Sequence, residues 1–469
     1  MGSFLFKYFV CCFHFSACIY IAWYCNALFS LLAFIPIIDA ICNNTYKNWQ
    51  RHILLFSLLC IFNIIVTYWL LHIKNTNGWF PILANTCYLY VAYLLSLILN
   101  LLIRNKIINF IITYLLMEWL HFRWFFAWPW LTLGNVFGNN TFIVQWYQYT
   151  GVIGGSFWIL ICNAAIYKKI KIKYIFYIIF FPISLSIFLY YFKLNQLKKQ
   201  SLSNTIDIVL TQPYINRTKY DTDRKLMKSL LENASNSIPK NEDPDLIIFP
   251  ELTLNDCYWK ENIKENDTYL DIRKFLSEKH PLSSVIIGAK MRAFTKDSTE
   301  NNKIYGHSYK NYNVALCINN NGKLSIKPKK KFIPKTEYWP SYLNKFLPDS
   351  NSCNYSTTED SDFFVAKKNT YFLTICYESI FSNFCNKSKK ENTELIIVLA
   401  SEVFLNNNLD AMNQYLNICK LRSIENNKYL AKSSNHGISA IINPLGEIVY
   451  QMDATKSEYK FFKIPINCN

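Results

Sequence analysis

Over its first two hundred residues the chain offers little that could face water. Seven mostly apolar stretches, about 4–24, 26–42, 52–72, 79–103, 107–121, 149–167 and 174–194, follow one another with short connections. A helix needs about 20 such residues to cross roughly 30 Å of hydrocarbon. Backbone amides in lipid stay paired only in helices or closed barrels. The pattern predicts a helical membrane bundle of about seven spans, with the second and fifth short enough to be tilted or half-inserted. A cleavable leader over 4–24 is disfavoured by the apolar stretches behind it.

Charge divides the chain the same way. Residues 1–200 carry 14 Lys+Arg against two acids, Asp39 and Glu118, whereas residues 201–469 carry 35 basic and 30 acidic side chains. With the N-terminus in the cytoplasm, the inside loops hold Lys47, Arg51, Arg104, Lys106, Lys168, Lys169, Lys171 and Lys173. The outside connections hold only Lys74 and Arg123. That bias follows the positive-inside rule, and an odd number of spans then places everything after residue 200 outside the cytoplasm. Lys193, Lys198 and Lys199 run against the bias, which a following domain tolerates. The formal charge of +17 is thus mainly a topology signal, and nucleic acid is not expected as a partner.

Within this half, Glu118 and His121 end the fifth stretch, and ionisable groups at that depth are functional candidates. The run Trp124-Phe-Phe-Ala-Trp-Pro-Trp130 reads as interfacial anchoring. Gly151, Gly154 and Gly155 read as sites of close helix packing.

From about 205 the texture changes. Ile206–Leu210, Leu246–Phe249, Ser284–Gly288, Asn313–Ile318, Tyr371–Cys376, Leu395–Ala400 and Ile438–Ile442 are expected as strands. Residues 222–236, 268–278 and 409–427 are expected as helices. This alternation predicts an α/β layered domain over 201–469, behind a transmembrane domain over 1–200. The seven His residues are scattered and no Gly-rich phosphate loop is present, so neither a metal nor a cofactor is expected.

Eight cysteines fall in the first half and seven in the second. An odd set outside the cytoplasm leaves at least one thiol unpaired. Cys376 differs from Cys257, Cys317, Cys353, Cys385, Cys419 and Cys468, because it ends an apolar run with an acid, Glu378, two residues on. Alone it reads as a buried strand cysteine. Two more segments change that weighing. Asp245-Leu-Ile-Ile-Phe-Pro-Glu251 ends a buried strand on a carboxylate, where an acid is costly unless paired or used. Lys329-Lys-Lys-Phe-Ile-Pro-Lys-Thr-Glu337 sets a lysine five residues ahead of a proline and eight ahead of an acid.

A Glu, a Lys and a Cys in this order, each at a strand end or in the loop after it, resemble the catalytic triad of the nitrilase (carbon–nitrogen hydrolase) superfamily. Joined to a multi-span membrane domain, the whole is similar to the apolipoprotein N-acyltransferase family. Phe249-Pro250-Glu251 matches its strand ending in Pro-Glu, Lys329 through Glu337 its Lys-x-x-Leu-Val-Pro-x-x-Glu, and Ile375 through Glu378 its Ile-Cys-Tyr-Glu. Arg422–Glu425 and Asn435–Ala440 match its closing segments, and Trp128–Gly134 and Gln145–Gly151 look like its membrane segments. The resemblance implies an αββα sandwich after a helical bundle of about seven spans. It implies a catalytic triad of Glu251 as base, Lys329 as oxyanion stabiliser and Cys376 as nucleophile, with Glu337, Tyr377 and Glu378 in support. The choice of Lys329 over Lys330 and Lys331 rests on its spacing from Pro334.

The implied reaction is ping-pong: an acyl chain passes from a phospholipid, typically phosphatidylethanolamine, to the cysteine. It then passes to the α-amino group of a diacylglyceryl-cysteine apolipoprotein. The implied setting is the bacterial inner membrane, with a monomer whose catalytic domain faces the periplasm. Tyr338-Trp-Pro-Ser-Tyr342 with Phe346 resembles a loop that dips into lipid, with an ordinary folded-loop core as the alternative. Two departures stand out. Ala400-Ser-Glu-Val-Phe404 replaces the usual Asn-Asp-x-Trp, and the chain stops at Asn469 on a polar tail where family members usually close on another membrane helix. Two other classes compete: a membrane-tethered nitrilase-type amidase, and a catalytically impaired relative acting as a binding protein.

Overall fold

The computed structural model describes residues 2–73, 78–124, 126–199, 205–215, 221–297, 302–340, 353–389 and 393–466. Lys74, Phe125, Ser341, Tyr342, Phe346 and Cys468, each part of an expectation above, lie outside the described residues. The chain forms two compact units: Met1–Asn195 with Phe404–Glu425, and Gln196–Val403 with Asn426–Asn469. The units divide the chain between Asn195 and Gln196, and one later segment, Phe404–Glu425, groups with the helical residues.

In the helical unit, five helices are long and apolar enough to cross a membrane: Phe4–Tyr24, Asn48–His72, Trp79–Leu99, Tyr147–Tyr167 and Ile172–Lys199. The other two expected spans are shorter. Ala27–Cys42 is interrupted at Phe34, two residues ahead of Pro36. Lys106–His121 has 16 residues, about 24 Å at 1.5 Å per residue and short of the hydrocarbon thickness.

Buried polar groups in this unit hold backbone and indoles in place. Glu118 accepts the Leu133 amide (2.8 Å), and His121 accepts the Trp124 indole N–H at Nδ1 (2.8 Å) while stacking on Tyr88. The tryptophan run is not all interfacial: Trp130 is buried and donates its indole N–H to Gln414 (2.9 Å). Gln414 lies on the helix Leu409–Asn426, accepts a second indole from Trp69 (3.2 Å) and donates to the Val66 carbonyl (2.9 Å). Farther along that helix, Glu425 accepts the amide of Val152 (2.9 Å). This buried amide is free to donate outside its helix because Gly151, at φ +63°, breaks the helix Tyr147–Tyr167. Gly155 does serve close packing, since a Cβ there would sit 1.7 Å from the Tyr147 hydroxyl.

The second unit contains fourteen strands in two sheets among the described residues. They are β1 (Thr205–Gln212), β2 (Leu246–Ile248), β3 (Leu254–Trp259), β4 (Ser284–Phe294), β5 (Lys303–Ile304), β6 (His307–Asn319) and β7 (Leu324–Pro328). After these come β8 (Phe363–Ala366), β9 (Asn369–Ile375), β10 (Thr393–Ser401), β11 (Tyr429–Asn435), β12 (Ala440–Ile442), β13 (Ile448–Gln451) and β14 (Glu458–Pro465). The first sheet runs β14-β1-β2-β4-β6-β5, with β3 on β4 and β7 on β6, and the second runs β13-β12-β11-β10-β9-β8. The strands β1, β2 and β4 are mutually parallel, as are β9, β10 and β11. Helices Asp223–Asn236 and Asp267–Lys279 cover the first sheet through a shared apolar core that includes Leu226, Leu230, Ile272, Ile247 and Val285. The two sheets are stitched across by Ser433, whose hydroxyl donates to the Thr211 carbonyl (2.6 Å). This is the expected α/β sandwich. All seven anticipated strands are present, and the carboxyl ends of β2 and β9 deliver Glu251 and Cys376.

Candidate active site

The strand β2 is a short, fully buried Leu-Ile-Ile run that stops where Pro250 removes a ladder donor. Glu251 follows, pressed so closely on β4 that a Cβ at Gly288 would lie 2.5 Å from its Cα. Only glycine admits that approach. Lys329 comes one residue after β7, its amide held by the Asn313 carbonyl of β6 (2.8 Å). Its ammonium donates to Glu251 Oε1 (2.9 Å) and to Glu337 Oε1 (2.7 Å). Asn313 Nδ2 donates to the same Glu251 oxygen (2.8 Å), and the Ile333 amide donates to Glu337 Oε2 (2.9 Å). Lys329 is fully buried, and Glu251 and Glu337 nearly so.

Cys376 follows β9 with φ +47°, a left-handed conformation that costs a non-glycine residue about 1–2 kcal/mol. Such strain persists where the surrounding fold imposes it, often at working sites. The thiol is buried and directed at the Ser401 carbonyl, 4.0 Å away.

Burial and charge set the protonation states. Burial, and next the charge of Glu251, push the Cys376 thiol well above its usual range despite the opposing Lys329 ammonium. Burial works against the Lys329 ammonium, but Glu251 and Glu337 outweigh it and hold that group charged. Burial also raises Glu337 above the ordinary carboxylate, with the Glu251 charge adding to it and Lys329 opposing. At neutral pH the cluster thus presents a protonated thiol beside a charged lysine and two carboxyl groups. Those are the components needed for a nucleophile, a proton acceptor and a fixed cation.

All three residues of the expected triad, and Glu337, come together here. Lys330 and Lys331 do not: Lys330 pairs with Asp362 (3.1 Å), and Lys331 lies over the Phe381 ring. Tyr377 is buried against Phe381. Glu378 faces the other way, forming an ion pair with Lys327 and accepting the amides of Ile375 (2.7 Å) and Lys330 (2.5 Å). It ties the loop of Cys376 to the loop of Lys329. The sequence reading missed Asn313, Gly288 and Lys327. Asn313 left a signal, as the polar residue just ahead of the apolar run Val314–Ile318 in β6.

Residues 15–165 match the apolipoprotein N-acyltransferase N-terminal domain, and residues 210–466 match the carbon–nitrogen hydrolase family. The chain is 25% identical to an apolipoprotein N-acyltransferase of Rickettsia prowazekii over 73% of its own length and 67% of that protein. It is 23% identical to the Borreliella burgdorferi protein of the same name, over 92% of this chain and 84% of that one. Among solved structures, a nitrilase-superfamily member from Saccharomyces cerevisiae is similar at 16% identity and TM-score 0.39, over 56% of this chain and 90% of that one. The hydrolase match alone spans more than half of the sequence and lies behind the acyltransferase N-terminal domain, so the chain belongs to the carbon–nitrogen hydrolase family, in the two-domain arrangement of the apolipoprotein N-acyltransferases.

Proposed function

We propose that this chain is a membrane-embedded lipid-to-protein acyltransferase that N-acylates apolipoproteins. The observation that carries the reading is Lys329, held between Glu251 and Glu337 close enough to the Cys376 thiol for their charges to interact. The N-terminal acyltransferase domain supports a membrane acyl donor over a soluble amide.

Glu251 takes the thiol proton as Cys376 Sγ attacks the sn-1 ester carbonyl of a phospholipid, typically phosphatidylethanolamine. Lys329 stabilises the resulting oxyanion, where a preorganised charge in a dry site is most effective. The carbonyl–oxygen bond breaks, and Glu251 returns the proton to the departing lysophospholipid oxygen, leaving a thioester. The α-amino group of a diacylglyceryl-cysteine apolipoprotein then attacks the thioester and gives its proton to Glu251. The amide forms, and the thiol leaves reprotonated. Glu337 holds Lys329, Tyr377 closes the buried side of the nucleophile, and Glu378 braces its loop. The basic cluster on the connections read as cytoplasmic supports a multi-pass inner-membrane protein with its catalytic unit in the periplasm; that this protein acts as a monomer is part of the same proposal.

Labelled phosphatidylethanolamine followed by a diacylated lipopeptide tests the scheme. Label should appear first on Cys376 and then on the peptide amine. Absence of label from Cys376 would sink the reading. Release as free fatty acid would favour an amidase-like hydrolase, and a Cys376→Ser protein that still acylated the peptide would refute the residue assignment.

A further inference from the structure

The departure from the usual Asn-Asp-x-Trp falls where β10 leaves the sheet, and the structure shows what stands there instead. Ser401 ends β10, and its carbonyl is the group that faces the Cys376 thiol. Glu402, next in the chain, has a fully buried carboxylate paired with the fully buried Lys432 of β11. Ser434 Oγ donates to Glu402 Oε1 (2.7 Å), the Glu402 amide donates to the Asn435 carbonyl (2.9 Å), and Lys432 Nζ also donates to the Ile438 carbonyl (2.6 Å). Gly437 leaves space for this carboxylate, since a Cβ there would lie 2.4 Å from Glu402 Cδ. One side chain therefore fastens the end of β10 to β11 and to the loop after it.

Stability does not account for such a pair. A buried ion pair is often no more stabilising than apolar side chains of the same volume. This one also leaves Glu402 Oε2 buried without a hydrogen-bond partner among the described residues. Its position does account for it. In the ladder Ser401 pairs with Asn435, while Leu399, two residues earlier, pairs with Ile375, the residue before the nucleophile. The staple thus locks the one stretch of β10 that borders Cys376, at the neck from which Phe404–Glu425 departs.

We propose that Glu402 is a positioning residue for the nucleophile, acting through Lys432 and Ser434 to hold the Ser401 carbonyl against the Cys376 thiol. The proposal rests on reading Cys376 as the nucleophile. A displacement of about 1 Å at a reacting group can cost on the order of 100-fold in rate. Glu402→Gln should therefore slow single-turnover acylation of Cys376 by about 10- to 100-fold, with half-saturation by phospholipid unchanged. The double variant Glu402→Gln/Lys432→Met, which buries no unpaired charge, should fold and be as slow. Ser434→Ala removes only one hydroxyl and should slow the step by about threefold, which keeps the test readable if the double variant does not fold. Glu402→Gln at the wild-type rate, or a double variant restored to it, overturns the proposal. Alkylation of Cys376 by iodoacetamide separates this from failure of the functional reading. A wild-type protein that takes no acyl group refutes the acyltransferase, whereas equal alkylation rates in wild type and variants refute the role of Glu402.

Discussion

Two lysines two residues apart, both buried, end up in opposite situations. Lys329 serves two carboxyl groups, Glu251 and Glu337, and those two acids lie close enough to a thiol to raise its pKa. Lys327 pairs with Glu378, whose two oxygens also take backbone amides. The neighbouring Asp362 is surrounded by Lys327, Lys330 and Lys387. Burial pulls Lys327 below the ordinary lysine range more than its acids lift it, whereas Lys329 is lifted well above. The first cluster has an excess of carboxyl groups and a proton to exchange; in the second, cations outnumber acids. The first is equipped for chemistry and the second is a clamp.

That contrast can be broken from the top. Glu251→Gln removes the proposed proton acceptor and should cut acyl-enzyme formation by about 10³- to 10⁴-fold, read by single-turnover labelling, with thermal melting near wild type. Glu378→Ala should do the reverse. Stranding Lys327 in the interior should cost about 3–5 kcal/mol, seen as a lowered melting temperature. If Glu378→Ala melted like wild type, the clamp would be no clamp. Lys329→Met should lower the acylation rate by about 10²- to 10³-fold. The raised Cys376 pKa predicts a pH effect of fixed sign. The thiol stays protonated at neutral pH, so its alkylation should climb about tenfold per pH unit with no plateau below the usual thiol value near 8.5. Because the folded value is the higher one, its contribution to stability is complete below that usual value and is lost as pH rises above it. A plateau near pH 7 would mean a preformed thiolate. The smallest effect is expected at Lys331→Ala, where loss of a cation–π contact with Phe381 costs about 0.5–1 kcal/mol, with acylation within threefold of wild type.

Much of this was legible in the residues, and the failures share a cause. Strands such as β2 and β10 announce themselves as continuous apolar runs because both faces are covered. The strand β11, which lies between β10 and β12, does not: its Lys432, Ser433 and Ser434 look like a surface loop. They are fully buried, and each is satisfied from another strand or loop, by Glu402 and by the Thr211 carbonyl. Local polarity cannot reveal a partner 30 or 222 residues away. The same limit hid the partners of Glu378, whose place beside Cys376 suggests chemistry while its hydrogen bonds are those of a brace. In the helical unit, two of the seven expected stretches form shorter helices than the other five, because Phe34 and the Pro36 behind it interrupt one and another is 16 residues long.

The segment Phe404–Glu425 bears on how the protein can be taken apart. By sequence it sits inside the hydrolase match, yet Gln414 and Glu425 find their partners at Trp69, Trp130 and Val152. A protein shortened to begin at residue 201, to free a water-soluble enzyme, would keep this helix and discard everything its buried face was made for. Gln414, Arg422 and Glu425 would then be exposed alongside Ile418 and Leu421 on the same helix face, all nearly inaccessible in the intact chain. Such a fragment should self-associate. Efforts to produce the hydrolase half alone would do better to redesign that helix surface than to move the cut.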